Sequence, residues 1–578
     1  MNEAVVQFTS PDQNGFVPDG FIAENILRLQ LLQAKVEEED EEALFLFCDM
    51  EKAFDRCSWD FLIEGLGKLG FNEGFIKFVK LMYQYDHPPT RQLYINGYLG
   101  PHFPLGSGVA QGCSLSPLLF LVIMEPLLRM INTCDDITGI TTTREDAHSL
   151  TVTHHKISAY ADDTTLLLGL HDIDPAIDIL ELWCDATAMR ENGTKREVLP
   201  LGALRSNTHK IPPRLLPGGV QPIKDGDAAT ALGVPVGNDI DTHAWWIKKY
   251  RQVKARIGQW AGLGKLTLTG RNMLLQSILY GSLRYWFFTL TVPEDVTELV
   301  ETDAKELLWA ASPELFTDEL GTNTSARRYM TKPASHLPQK SGGGSIMDIR
   351  HHITAFQAQW IIKYLDPRRS PWKDALDHWA VKDDDLGRGT ILSSDPTDPA
   401  TRLPRDATYM RACFSSFKKL NIKRDTDLIP EAIEGEPLWK NNRFGIPPVL
   451  GPGTIQEWIE DLNTARLSDL LHQNGFLTTS EWDSYIEQHA PRSLTAQQRS
   501  RWIHEKQLDL PLIKPSIPSE LRRALRTLPN LKDGDIVFAT DTQQHTICAE
   551  FNSTHLGELW LDTSNYPHRT GNTIPLAN

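Results

Sequence analysis

Two adjacent aspartates, Asp162 and Asp163, interrupt an apolar, β-prone run, KISAYADDTTLLL. Apolar stretches on both sides predict strand, tight turn, strand over Lys156 to Leu168, with the acids at the tip. Paired carboxylates next to a core are unfavourable unless something offsets their charge. A metal ion is the natural partner. Asp135-Asp136, in TCDDITG, has no such apolar setting and reads as a loop.

A third carboxylate closes another apolar run of strand length: Asp49, in ALFLFCDMEKAFD. If the two strands are neighbours, Asp49 faces Asp162 across a cleft and three carboxylates converge. Mg²⁺ takes oxygen ligands and binds through carboxylates and substrate phosphates. Two such ions, about 3.5–4 Å apart, stabilise the attacking and leaving oxygens of a phosphoryl displacement. Taken singly, each aspartate reads equally well as a helix cap or turn residue. The run GSGVAQGCSLSPLLFLVIMEPLL leads from Gly106, Gly108 and Gly112 into a helix with Pro117 in its first turn. Backbone without side chains admits close approach by a ligand, although a plain turn before a buried helix has the same signature.

Around these runs, helical spacing marks Glu24 to Val36, Trp59 to Leu69, Gly74 to Tyr83, Ser116 to Met130 and Asp174 to Met189. Strand patterns mark Leu44 to Asp49, Arg91 to Asn96 and Val198 to Leu201, and Asn96-Gly97 is a turn signal. The mixture predicts an α+β fold, a small sheet backed by helices. Trp245 to Trp309 is mostly helical, as are His351 to Tyr364 and Leu428 to Lys506; Asp383 to Arg405 is polar and contains proline. Past Lys514 come short alternating runs, IVFAT and TICAEF, to which no function attaches.

The net charge of −17 is awkward for a nucleic-acid binder. Its distribution is not uniform. Between Asp241 and Leu290 stand eight Lys or Arg (Lys248, Lys249, Arg251, Lys254, Arg256, Lys265, Arg271, Arg284) and one acid. That stretch reads as a phosphate-contacting surface or as a solvated helix face. The run Glu37 to Glu42 reads as a solvated loop, and His154-His155 as solvated, without metal partners at regular spacing. Seven cysteines without CxxC pairs argue against a disulfide scaffold or zinc knuckle. Gly342 to Gly344 is a turn, since no GK[ST] follows. The longest apolar run, Pro117 to Met124, is too short for a membrane span, and MNEAVVQFTS lacks a signal pattern. These features predict an intracellular protein, nuclear or cytoplasmic, with no membrane partner.

In this order and spacing, the chain resembles the reverse transcriptase of non-LTR (LINE-type) retrotransposons. NGFVPDGFIAENI is similar to that family's fingers element. FCDMEKAFDRCSWDFL resembles its first palm motif, GVAQGCSLSPLLF its RQGCPLSP, AYADD its signature, KREVLPLG its K-x-E-V-L stretch and ALGVPVG its primer grip. LTLTGRNMLL, GGGSIMDIR and EPLWKNN extend the likeness to about Asn442. The resemblance implies a right-hand polymerase, palm and fingers followed by a helical thumb and a mostly helical C-terminal region. It divides the chain into partial fingers and palm (1–237), thumb (238–312), a helical connection (313–382), a polar linker (383–410) and a C-terminal region of unknown function (411–578).

By position, the resemblance makes Asp49, Asp162 and Asp163 the ligands of two Mg²⁺ ions, with Mn²⁺ as a substitute. Lys195 would protonate the pyrophosphate leaving group. Phe54 would lie beneath the sugar of the incoming dNTP and exclude a 2′-hydroxyl. Gln111, Gly112 and Tyr160 would lie near nucleotide and template. Leu232, Gly233, Val234 and Pro235 would grip the primer. Lys248, Lys249, Arg251, Lys254, Arg256, Lys265 and Arg271 would follow the backbone of an RNA template paired with a DNA primer. Phe54 also reads as a core aromatic, and Lys195 as a surface lysine.

Departures from the pattern give a second expectation. Asp19-Gly20 stands where the family has Gly-Arg, and Ser107 and Ala110 stand where it has arginines. Weaker dNTP binding follows. With few residues ahead of GFVPDG, the expectation is a chain truncated at its N-terminus, whose endonuclease is supplied by another chain. The alternative to a working RNA-directed DNA polymerase is a weak or inactive retroelement remnant that at most binds nucleic acid.

Overall fold

A computed structural model describes residues 7–18, 20–83, 89–146, 149–261 and 266–309, then 344–365, 368–381, 401–419, 479–491 and 494–516, with short pieces between and beyond them. Asp19, Lys265, Gly342, Gly343 and most of the predicted linker lie outside the described residues. The chain divides into two compact units. The first comprises Met1–Thr143, Val152–Val253 and Arg369–Leu376; the second comprises Arg144–Thr151, Lys254–Arg368 and Asp377–Asn578.

The first unit is built on a four-stranded antiparallel sheet. Its elements, in chain order, are helix α1 (Ile22–Glu38), strand β1 (Glu42–Cys48), the short helix α2 (Ala53–Arg56), α3 (Trp59–Lys68), α4 (Glu73–Met82), α5 (Ser116–Thr133), β2 (Ile157–Tyr160), β3 (Asp163–Gly169), α6 (Ile173–Thr187) and β4 (Glu197–Gly202). The strand order is β4-β1-β3-β2. Leu44, Phe45, Leu46, Leu166, Leu167, Leu168, Val198 and Leu199 are all fully buried, so both faces of the sheet are covered. Two covered faces explain why these strands read as continuous apolar runs rather than alternating ones. Each such side chain contributes about 1.5–3 kcal/mol of burial.

Helix α5 carries Pro117 in its first turn and is buried along most of its length. It is long and apolar enough to cross a membrane by length and composition, which the sequence reading did not anticipate. Two-thirds of its apolar window lies inside the protein, with the Trp183 indole of α6 donating to the Ile123 carbonyl at 3.0 Å. Its burial makes it a core helix of this unit.

Three local expectations change. The acidic run is only partly a solvated loop: Glu38, Glu39 and Asp40 are exposed, but the buried Lys35 ammonium holds Glu39 at 3.0 Å and Glu41 at 2.6 Å, and Arg205 holds Glu37 at 2.9 Å. These pairs pin the turn from α1 to β1. Nor is His155 solvated; it is fully buried, its Nδ1 3.2 Å from Arg28 Nη2 and its Nε2 2.9 Å from Thr142 Oγ1. His154 is exposed, as expected. The strand expected over Arg91 to Asn96 is instead split. Thr90–Arg91 pairs with Phe103–Pro104, and Tyr94–Ile95 with Tyr98–Leu99. Asn96 and Gly97 both have positive φ, as a two-residue hairpin turn requires.

The second unit is helical over Leu268–Phe287, with a π-turn at Leu275–Tyr280, and over Glu294–Trp309, Ile349–Leu365 and Thr408–Lys419. Trp360 donates to the Phe288 carbonyl at 2.9 Å, and Tyr409 to the Phe287 carbonyl at 2.9 Å. Leu403, Ala407, Tyr409 and Met410, within the stretch expected to be a polar linker, are buried. In the tail, Ile536–Thr540 and Thr546–Glu550 pair as antiparallel strands.

Candidate active site

The sheet register brings the carboxylates together. In the β1–β3 pairing Cys48 lies opposite Thr164, so the next residues, Asp49 and Asp163, stand side by side at the strand ends. In the β2–β3 hairpin Tyr160 pairs with Asp163, which leaves Ala161 and Asp162 as the turn. Ala161 has φ 57°, a left-handed conformation uncommon for a residue with a side chain. Asp162 and Asp163 both titrate above the usual carboxylate range. For Asp162 the cause is partial burial, opposed by its own backbone N–H and reinforced by the Asp49 charge. For Asp163 it is partial burial, then the charges of Asp162 and Asp49.

These three acids therefore feel one another. No three described His, Cys, Asp or Glu side chains stand close enough to enclose one ion as they are. Their mutual repulsion is nevertheless the condition that a hard cation relieves, and an all-oxygen donor set suits a divalent ion such as Mg²⁺.

Among the described residues, the cation paired with Asp49 is Lys195, whose Nζ lies 3.3 Å from Asp49 Oδ2. Its loop is held to the end of β1 by backbone: Asn192 N–H donates to the Asp49 carbonyl at 2.8 Å, and Glu51 N–H to the Arg190 carbonyl at 2.8 Å. The neighbouring Arg196 is buried and chelates Glu191, with Nε on Oε1 at 2.8 Å. Asp49, Asp163, Lys195 and Leu232 all line one cleft of about 570 Å³. Leu232 and Gly233 form the turn, both at positive φ, between the paired segments Ala229–Ala231 and Val234–Val236.

Asp162, Gln111 and Gly112 do not line that cleft. The loop that carries Gln111 and Gly112 is fixed beneath α2. Gly108 N–H donates to the Cys57 carbonyl at 2.9 Å, Val109 N–H to the Phe54 carbonyl at 2.8 Å, and the Trp59 indole to the Gly108 carbonyl at 2.8 Å. Only glycine fits at 108: φ is 91°, and a Cβ would meet the Asp55 carbonyl oxygen at 2.6 Å. Gly112, at φ 84°, has open space where a Cβ would stand. Phe54 is half-buried, stacked on Phe120 with centroids 4.5 Å apart and edge-on to Phe16 at 6.0 Å.

Of the predicted basic residues, Lys248, Arg251 and Arg256 are exposed on helix α7 (Thr242–Ala261), and Lys249 is partly covered beside the Trp245 ring. Lys254 is not part of that surface. It is 3% exposed, and its ammonium lies 3.1 Å from Asp303. Arg271 donates to the Leu266 and Leu308 carbonyls, each at 3.3 Å.

Sequence reasoning missed Gln13. Its carboxamide meets the backbone of Ala161 from both sides, donating from Nε2 to the carbonyl at 3.1 Å and accepting the N–H on Oε1 at 2.8 Å. A buried glutamine leaves no periodic trace; its only signal was its place just before the GFVPDG element. Arg28 was missed as well. It is buried, 2.7 Å from Asp12 Oδ1 and 2.9 Å from the Ile157 carbonyl of β2.

Comparison with known proteins bears on this arrangement. Residues 1–204 match the family model "Reverse transcriptase (RNA-dependent DNA polymerase)". Over those residues the chain is similar to reverse transcriptases, and the relatives it matches are retrotransposon proteins. It is 24% identical over 477 residues to the transposon TX1 uncharacterized 149 kDa protein of Xenopus laevis, covering 82% of this chain and 34% of that protein. It is 30% identical over 121 residues to the retrovirus-related Pol polyprotein from type-2 retrotransposable element R2DM of Drosophila melanogaster, covering 21% of this chain and 11% of that one. The chain thus spans about a third or less of these relatives. The four-stranded sheet and its helices are the palm and fingers fold of a reverse transcriptase.

Proposed function

We propose that this chain is an RNA-directed DNA polymerase of a LINE-type retroelement, adding deoxynucleotides to a primer 3′-hydroxyl on an RNA template. The observation that carries this reading is the register placing Asp49 beside Asp163 at the sheet end, one residue from Asp162. Two Mg²⁺ ions held by Asp49, Asp162 and Asp163, or Mn²⁺ in their place, would supply the positive charge for the attacking and leaving oxygens.

The chain's own residues do the rest. Lys195, exposed and within reach of Asp49, gives a proton to the leaving pyrophosphate. Phe54, braced by Phe120, is a rigid floor beneath the nucleotide sugar that excludes a 2′-hydroxyl. Gln111 and the bare backbone at Gly112 receive the template base and nucleotide, with Tyr160 beside the turn. Leu232, Gly233, Val234 and Pro235 steady the primer end. Residues 238–312 act as a thumb, in which Lys248, Lys249, Arg251, Arg256 and Arg271 contact the duplex backbone.

A second reading, a domain of low activity, is favoured by one observation. Ser107 stands where the family has a cation, and its hydroxyl is engaged with the Asp55 carbonyl at 2.9 Å, while Ala110 offers no polar group. The test is primer extension on poly(rA) with oligo(dT), dTTP and Mg²⁺ or Mn²⁺, with Asp162→Ala/Asp163→Ala as control. Extension that disappears in the double variant supports the polymerase. No extension from folded protein would transfer support to the second reading.

A further inference from the structure

Gln13 lies far from the aspartates in sequence, yet it is the residue that holds their turn. It is 2% exposed. Its Nε2 donates to the Ala161 carbonyl at 3.1 Å, and its Oε1 accepts from Ala161 N–H at 2.8 Å and Gly15 N–H at 2.7 Å. The Ala161 N–H belongs to the peptide that follows Tyr160, and the Ala161 carbonyl to the peptide that precedes Asp162. One planar carboxamide thus fixes both peptide planes of the turn.

The surroundings hold Gln13 as firmly as Gln13 holds the turn. Ala159 N–H donates to the Asp12 carbonyl at 2.9 Å, and Asn14 N–H to the Ala159 carbonyl at 3.1 Å, so residues 12–14 run alongside β2. Asn25 of α1 donates to the Ala159 carbonyl at 2.9 Å and to Ser158 Oγ at 3.0 Å, and accepts from Asn14 at 2.9 Å. A Cβ at Gly15 would lie 2.1 Å from Ala161 N, so the chain can reach the turn this closely only as glycine. Ala161 itself sits at φ 57°, which a residue with a side chain rarely holds unless its neighbours impose it.

We propose that Gln13 is a positioning residue for the metal-binding turn: by fixing the Ala161 peptides it sets where the Asp162 carboxylate points and so how well the site takes a divalent ion. This rests on the polymerase reading above. The chemistry required is specific. One donor and one acceptor must lie in a plane at the end of a two-methylene stem. Methionine supplies the length and neither group. Ionised glutamate accepts from Ala161 N–H but sets an oxygen against the Ala161 carbonyl, where nothing can be donated.

The experiment compares wild type, Gln13→Met and Asp162→Ala/Asp163→Ala in the full chain by three readouts. These are Mn²⁺ binding by EPR titration without nucleotide, kcat and KM for dTTP on poly(rA)·oligo(dT), and thermal melting. Gln13→Met is expected to weaken Mn²⁺ binding and lower kcat by about 10- to 100-fold each, as loss of a partner behind a ligand does. KM for dTTP and the melting temperature should stay near wild type. Wild-type levels of Mn²⁺ binding and kcat in folded Gln13→Met would overturn the inference while leaving the polymerase reading intact. Failure of the polymerase reading is separately visible, as wild-type protein that neither extends primers nor loses Mn²⁺ on Asp162→Ala/Asp163→Ala. Should Gln13→Met melt below the assay temperature, the nearly isosteric Gln13→Glu, read at a pH high enough to ionise its carboxyl, decides between the same two outcomes.

Discussion

Arg28→Met tests whether a buried ion network underpins the strand that leads into the catalytic turn. The Arg28 guanidinium reaches from α1 to three groups: Asp12 Oδ1 at 2.7 Å, the Ile157 carbonyl at 2.9 Å and His155 Nδ1 at 3.2 Å. Its side chain is 4% exposed and that of Asp12 10%. Methionine keeps much of the apolar stem and removes every donor. Asp12 then retains only Asn132 Nδ2 at 2.8 Å and Ser10 Oγ at 3.2 Å, neither of them charged. Removing one member of a buried pair costs about 3–5 kcal/mol, most of it from the charge left behind. Urea unfolding followed by tryptophan fluorescence should show that loss. Adding Asp12→Asn to Arg28→Met should recover part of it, because the stranded charge is gone. A loss under about 1 kcal/mol for Arg28→Met, or a double variant as unstable as the summed singles, would refute this reasoning.

Three further outcomes are expected. Lys195→Met should leave stability within about 0.5 kcal/mol, since its pair with Asp49 is well exposed. It should lower the single-turnover rate by about 10²-fold or more if it acts as the general acid, read by rapid quench. His155 is held neutral, its titration pushed well below the usual imidazole range by burial first and then by the Arg28 charge. Because the unfolded chain takes up that proton more readily, stability should fall as pH drops below about 6.5. His155→Gln should flatten that part of the curve in urea titrations at stepped pH. Finally, Arg256→Gln should reduce the salt dependence of duplex binding by roughly one counterion. Lys254→Met should leave that slope unchanged and lower stability instead, because Lys254 is committed to Asp303; fluorescence anisotropy across a KCl series separates the two.

The elements around the candidate site were legible in sequence because both faces of the sheet are covered. The LFLF and TTLLL runs announce strands, and the acids at their ends stand out against them. Asp49 needed only the neighbouring pairing of β1 and β3 to fall in place beside Asp163, and that pairing exists. Buried polar groups were not legible. Gln13, Arg28 and His155 follow no period, and each meets a partner distant in sequence, while Lys35 is buried against Glu39 and Glu41 of the turn that follows it. Lys254 shows the same limit from the other side. In sequence it is one more cation in a basic run, and only Asp303, packed against it in the fold, tells it apart from Arg256.

The central claim is that Asp49, Asp162 and Asp163 form one polymerising site. Its most direct test is single-nucleotide incorporation on an RNA template at saturating dTTP and Mg²⁺, by wild type, by Asp49→Asn, Asp162→Asn and Asp163→Asn singly, and by the triple variant. Each single change should lower the rate by at least about 10²-fold. The triple variant should be little worse than the weakest single, since the three act as a unit. Incorporation by any single variant at the wild-type rate, or losses that multiply in the triple variant, would contradict it.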